Sequence, residues 1–197
     1  DMNNDHCVII GASHAGTSLA LALRKEGWEA PITLISEEKV LPYHRPPLSK
    51  DFLAGTKEFE NMLLRPEKAF VDNEINLLLG TKVEGIDSAR QVVKLSGGDE
   101  IAYSKLALCT GASVIQLPLG QGLAGVHTIR TFADVIPIKE KLATVKKAVV
   151  VGAGYVGLEV AAVLAKAGVE VNVLEMADRI LSRVTSVTMS DYMQALH

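Results

Sequence analysis

The sequence predicts an α/β fold: two similar lobes of parallel sheet and helix, with a small antiparallel β meander inserted. Three observations carry that expectation. A strand, turn, helix, strand pattern occurs twice, short alternating strands lie between the copies, and 48% of the 197 residues are hydrophobic, enough for a core in each lobe.

The first copy begins with Cys7-Val8-Ile9-Ile10, a wholly apolar run of the kind a buried parallel strand shows. It enters Gly11-Ala12-Ser13-His14-Ala15-Gly16 and then an Ala/Leu-rich helical stretch around residues 19–23 that stops near Gly27. Ile32-Thr33-Leu34-Ile35 is the second strand, followed by Glu37 and Glu38. The second copy keeps the order: Ala148-Val149-Val150-Val151, then Gly152-Ala153-Gly154-Tyr155-Val156-Gly157, a helix over 158–164 ending near Gly168, a strand over 169–174, and Glu175. Each copy is a βαβ unit, which implies parallel strands and a right-handed crossover.

Between the copies, Arg65-Pro66-Glu67 opens a short helix with proline at its first position. Residues 75–79, 83–86, 91–95 and 100–103, separated by turns such as Ser96-Gly97-Gly98-Asp99, read as the antiparallel meander. Leu106-Ala107-Leu108-Cys109 reads as a further buried strand that ends in Thr110-Gly111. The Gly/Pro-rich run over 112–125 is a linker, which sets the lobes at 1–112 and 113–197. Residues 131–142 have helical spacing interrupted by Pro137, so a short or kinked helix is expected there. The chain stops soon after the second lobe's first strand, short of the ~100 residues or more that a domain usually takes. An incomplete second lobe, within a fragment of something longer, is therefore expected.

Composition excludes several roles. Twenty Lys+Arg against 23 Asp+Glu give a net charge of −3, without the positive field that nucleic-acid binding needs. No apolar stretch reaches the ~18 residues of a membrane span, and the polar N-terminus is no cationic leader, so a cytoplasmic protein is expected. Cys7 and Cys109 lie in apolar runs far apart and read as reduced core thiols. His6, His127 and His197 show no metal-ligand spacing.

Gly152-x-Gly154-x-x-Gly157 between strand and helix, with Glu175 after the next strand, is the context of a dinucleotide fingerprint. The first glycine allows the sharp turn, the second lets backbone approach a pyrophosphate, and the third lets helix and strand pack closely. Glu175 would accept from both ribose hydroxyls and repel a 2′-phosphate, which favours NADH over NADPH. The first copy carries Ser13 in place of the middle glycine; its hydroxyl can serve a phosphate oxygen, with Glu37 or Glu38 on the ribose. Two Rossmann-like dinucleotide-binding lobes in one chain imply two different dinucleotides and hydride transfer between them. Leu41 to Leu53, with Pro46-Pro47 as a stiff extended run and Ser49 able to cap a short helix, would hold Arg45 and Lys50 as cations on a rigid platform.

His44-Arg45-Pro46-Pro47-Leu48-Ser49-Lys50, Thr110-Gly111, Arg130-Thr131 and Gly154-Tyr155-Val156-Gly157-Leu158-Glu159 together resemble the FAD-dependent, NADH-consuming ferredoxin and rubredoxin reductases. That group includes reductase components of aromatic-ring dioxygenases and is related to apoptosis-inducing factor. The resemblance runs over essentially the whole chain. It implies that Gly11, Ser13, His14, Ala15 and Gly16 hold the FAD pyrophosphate and that Glu37 meets the adenosine ribose. It places Arg45, Lys50, Thr110, Gly111 and Arg130 on FAD, with Lys50 near the reactive edge of the flavin and Val83 at the adenine. Gly152, Gly154, Val156, Gly157, Glu175 and Arg183 fall at the NADH site, and Tyr155 covers the nicotinamide. Glu159 is the partner of Lys50, an ion pair across the lobes that would steady charge on the reduced flavin. Lys50, Glu159 and Tyr155 are therefore the expected catalytic residues.

The implied function passes a hydride from NADH to FAD, then single electrons to a ferredoxin or rubredoxin feeding an oxygenase or P450. Partners are that small iron–sulfur protein and the rest of the same polypeptide, because the family continues past residue 197. A disulfide reductase needs paired redox cysteines, which Cys7 and Cys109 do not supply. An oxidase or peroxidase needs one exposed thiol beside the flavin, whereas both thiols are expected in strand interiors. The alternative from another class is a non-catalytic flavin-fold scaffold.

Overall fold

The structure is a computed structural model that describes residues 5–196. The chain forms two compact units, one of residues up to 44 with 62–112, the other of 45–61 with 113 onward.

The first unit contains, in chain order, β1 (Cys7–Ile10), α1 (His14–Lys25), β2 (Ile32–Ile35), α2 (Glu67–Asp72), β3 (Ile75–Leu78), β4 (Val83–Asp87), β5 (Val92–Leu95), β6 (Glu100–Ala102) and β7 (Lys105–Leu108). Four strands form one parallel sheet in the order β3-β2-β1-β7. Strand alternation divides its apolar residues between two faces. Cys7, Ile9 and Leu34 pack with Ala20 of α1 and Phe70 of α2, while Val8, Ile10 and Ile35 pack with Val93 and Leu95 of the antiparallel β4-β5-β6 sheet. Two expectations change here. Residues 75–78 form a strand as expected but join β2 in the parallel sheet rather than the meander, because Ile75 is buried beside Phe70. Pro66 is the cap before α2, at φ −65° and ψ 154°, not its first residue.

The second unit contains α3 (Phe132–Lys141), β8 (Lys147–Val151), α4 (Tyr155–Lys166), β9 (Glu170–Leu174) and α5 (Val187–Leu196). β8 and β9 pair in parallel from Lys147 with Glu170 to Val151 with Leu174. One face of that pair is open: Val149, Val151 and Leu174 are exposed. α3 runs through Pro137. The missing proline N–H forfeits one bond within the helix, while a capping box at its start, in which Thr131 and Asp134 each accept the other's N–H, secures the first turn. Residues 46–49 form a 3-10 helix with both prolines in its first turn, not an extended run. The segment is pinned by aromatic contacts: the Phe52 and Phe59 rings lie 5.4 and 4.5 Å from Phe132, with Lys139 Nζ 3.9 Å above Phe52. Among the described residues no helix is long and apolar enough to cross a membrane.

Candidate functional site

The two glycine turns are built alike. Gly11 and Gly152 open them at φ +104° and +103°, a backbone state that L side chains rarely adopt. A Cβ on Gly16 would lie 1.8 Å from the Gly11 carbonyl oxygen, and one on Gly157 would lie 1.9 Å from the Gly152 oxygen. The last glycine of each turn thus lets the helix sit on the turn. Ser13 and Gly154 cap α1 and α4 with similar extended backbones. Neither helix carries an acid in its first turn, so the positive end of each dipole favours an anion beside it. At Gly154 the backbone needs no glycine, and a Cβ there would meet nothing within 4 Å. The space its missing side chain leaves fits the close approach of a pyrophosphate.

Beside the second turn is a cavity of about 450 Å³, lined by Gly152, Gly154, Tyr155, Glu175 and Arg183 among others. Its size suits a ligand the size of an adenine nucleotide. Glu175 follows β9, and its two carboxylate oxygens accept from the N–H groups of Ala153 and Ala177, each at 2.8 Å. Those bonds, first Ala177 and then Ala153, together with the Met176 N–H and the Arg183 guanidinium, hold its carboxyl below the usual carboxylate range. Each oxygen keeps further acceptor capacity for a ribose hydroxyl. Tyr155 opens α4 half exposed, whereas Val156 and Gly157 lie outside the cavity wall.

In the first unit, the two acids after β2 take different places. Glu38 accepts from the Tyr43 hydroxyl at 2.5 Å, while Glu37 is exposed, 3.9 Å from Lys82. His14, the first residue of α1, shares a 3.0 Å hydrogen bond with His44. Ala15 is exposed in the same turn. Gly11 abuts the end of β7, since a Cβ on it would lie 2.0 Å from the Cys109 oxygen and 3.2 Å from the Thr110 nitrogen. That places Thr110-Gly111 beside the turn. Val83 starts β4 at a register irregularity, its side chain packed against the Val93 cluster. Cys7 is buried, which pushes its thiol pKa up, whereas Cys109 lies just past β7 and is only partly buried, not inside a strand as expected.

In the second unit, Lys50 Nζ lies 3.0 Å from Glu159 Oε1 on α4 and 3.2 Å from the Pro46 oxygen. The ion pair expected from the sequence is present, but it lies within one compact unit because residues 45–61 pack with 113 onward. Ser49 caps no helix. It ends the 3-10 turn, is buried, and donates to Glu159 Oε2 at 2.5 Å. Arg45 donates to the Arg130 carbonyl at 2.8 Å, and the Arg130 and Thr131 N–H groups converge on Asp134. Sequence reasoning missed Ser49 as a partner of Glu159, and it missed Arg179 and Ser190, which organise the loop behind Arg183.

Residues 5–197 match the pyridine nucleotide-disulphide oxidoreductase family. The chain belongs to that family. It is 42% identical over 191 residues to the ferredoxin–NAD(P)+ reductase of a Sphingomonas species, covering 96% of this chain and 46% of that protein. It is 40% identical to the rubredoxin–NAD+ reductase of Pseudomonas putida, covering 95% of this chain and 49% of the relative. Among solved structures, the covalent putidaredoxin reductase–putidaredoxin complex superposes with a TM-score of 0.93 at 41% identity, over 98% of this chain and 48% of that one. The chain spans about half the length of the curated relatives it matches. Despite the family's description, Cys7 and Cys109 are free thiols.

Proposed function

We propose that this chain belongs to a flavoprotein oxidoreductase that takes a hydride from NADH onto FAD and passes single electrons to a ferredoxin or rubredoxin serving an oxygenase or P450. The observation that carries the reading is the duplicated turn: two helix N-termini with the same close packing, one beside a cavity that holds a pinned, ionised Glu175. The likeness to ferredoxin and rubredoxin reductases supports the choice of acceptor. A cytoplasmic location goes with that reading.

Bound at the first turn, FAD supplies the conversion between a two-electron donor and one-electron acceptors. The protein's own groups bind and orient. The first turn, with Glu37 and the Ser13 hydroxyl, would hold the FAD phosphates and ribose, with Val83 and Thr110-Gly111 in the same unit. The second turn holds the NADH pyrophosphate, Glu175 accepts from its ribose hydroxyls and repels a 2′-phosphate, and Tyr155 covers the nicotinamide. Lys50, fixed by Glu159, is the cation assigned to the flavin edge, where a preorganised charge costs no reorganisation during the reaction.

The test is spectroscopic. Protein carrying this chain is expected to be yellow, to bleach anaerobically on adding NADH and far less on adding NADPH, and to recover colour when a ferredoxin or rubredoxin is supplied. Bound flavin that NADH does not bleach would overturn the reading.

A further inference from the structure

One wall of the nucleotide cavity is a loop that no sequence motif explains. Residues 176–186 join β9 to α5 without helix or strand, and Met176, Ser182 and Arg183 face the cavity. Met176 is 98% exposed, and a loop so open is expected to sample many conformations. Internal bonds restrain this one. Leu181 is buried, adopts φ +54°, and donates its N–H at 2.9 Å to the Ala153 carbonyl inside the glycine turn. A leucine persists in that left-handed state only where its surroundings over-determine it. Ser190 of α5 is fully buried and donates to the Ile180 oxygen at 2.7 Å. Arg179 binds these parts together. Its guanidinium donates to the Thr185 oxygen at 2.9 Å, the Ser182 oxygen at 3.1 Å and Ser190 Oγ at 2.6 Å.

We infer that Arg179 is a positioning residue of the nucleotide site, clamping the 181–185 turn so that Ser182 and Arg183 stay on the cavity wall beside Glu175. Arg179 itself is outside the lining. It acts through a planar fork that reaches three acceptors on two segments, a geometry a lysine ammonium cannot copy. Without it the turn keeps only the Leu181 bond to Ala153 and loses its ties at Ser182 and Thr185, and Arg183 loses its place. The ligand whose affinity this sets is the adenosine diphosphate end of a dinucleotide, so the inference rests on the proposed NADH site.

The test uses the intact flavoprotein with Arg179→Ala, Arg179→Lys and Ser190→Ala, read by NADH titration, steady-state kinetics and amide exchange. For Arg179→Ala, Kd and KM for NADH are expected to rise on the order of tenfold, as for lost hydrogen bonds to a charged group. kcat at saturating NADH should stay within about twofold, the pattern of lost uniform binding. Lysine should not rescue, Ser190→Ala should fall between, and exchange should quicken at residues 181–185 but not in β1 or β2. Unchanged Kd in Arg179→Ala or Ser190→Ala while the loop exchanges faster would overturn the inference. Glu175→Ala separates the two claims. If it weakens NADH binding and Arg179→Ala does not, only the clamp is wrong; if neither does, the NADH site itself is wrong.

Discussion

Gly154 and Gly157 are three positions apart and should fail in opposite ways when a methyl group is added. Gly157→Ala places carbon 1.9 Å from a backbone oxygen, so α4 must shift off the turn; overpacking of this kind costs about 1–3 kcal/mol, and a thermal melt should show a lowered Tm. Gly154→Ala meets open space at an ordinary φ of −81°. Its Tm should stay near wild type while NADH titration shows weakened binding, because the methyl occupies the space proposed for the pyrophosphate. Lys50→Ala should slow flavin reduction by NADH in stopped flow, leaving Glu159 with the Ser49 hydroxyl; an unchanged rate removes Lys50 from the chemistry. Glu175 gives a pH dependence. Its carboxyl is held below the ordinary value of 4.5, so its bonds to Ala153 and Ala177 stabilise the fold fully above that value and are lost as pH falls through the depressed one. Protection of the Ala153 and Ala177 amides, their exchange rate relative to the intrinsic rate at the same pH, should hold from neutral pH to about 5 and fall only in stronger acid. Gly11, Gly16, Gly152 and Gly157 were legible in the sequence because a positive φ or a close helix approach demands glycine at each, and Glu175 because it follows the second strand of the unit. The Ser49–Glu159 bond spans 110 positions, and a lone serine hydroxyl carries no local mark of so distant a partner.

At the scale of elements, strand identity could be read from apolar runs but strand pairing could not. Residues 75–78 have the alternation of a meander strand, yet burial of Ile75 against Phe70 draws them into the parallel sheet. The prolines misled in the same way: Pro46 and Pro47 suit the first turn of a 3-10 helix as well as an extended run, and the contacts of Phe52 and Phe59 with Phe132 decide between them. On the proposed assignment of Arg45 and Arg130 to FAD, α3 matters through its start, where Asp134 of the capping box holds the Arg130 N–H and the Arg130 carbonyl accepts from Arg45. Thr131→Ala should cost about 1 kcal/mol of stability by chemical denaturation. It should also weaken FAD retention, measured as flavin released on dilution.

Across the whole molecule, the two units differ in how completely their sheets are covered. The four-stranded sheet has apolar clusters on both faces, with Val8, Ile9 and Leu34 fully buried. The β8–β9 pair leaves Val149, Val151 and Leu174 in solvent. Local stability follows buried apolar contact, so amides of β1 and β2 should exchange more slowly than those of β8 and β9. A uniform rate across both sheets would contradict this. The fold class and both βαβ units could be read from the repeat, whereas the membership of residues 45–61 in the second unit depends on contacts with α3 and α4 that no local pattern announces.

The repeat is also imperfect in a way that bears on turnover. One turn carries a serine, Ser13, at the cap of its helix, and the other a glycine, Gly154, with no side chain. On the proposed assignment, the turn with the extra polar anchor suits a permanent tenant and the smoother one a visitor that must leave after every cycle. A single serine-for-glycine difference between duplicated motifs would then separate a prosthetic group from a cosubstrate.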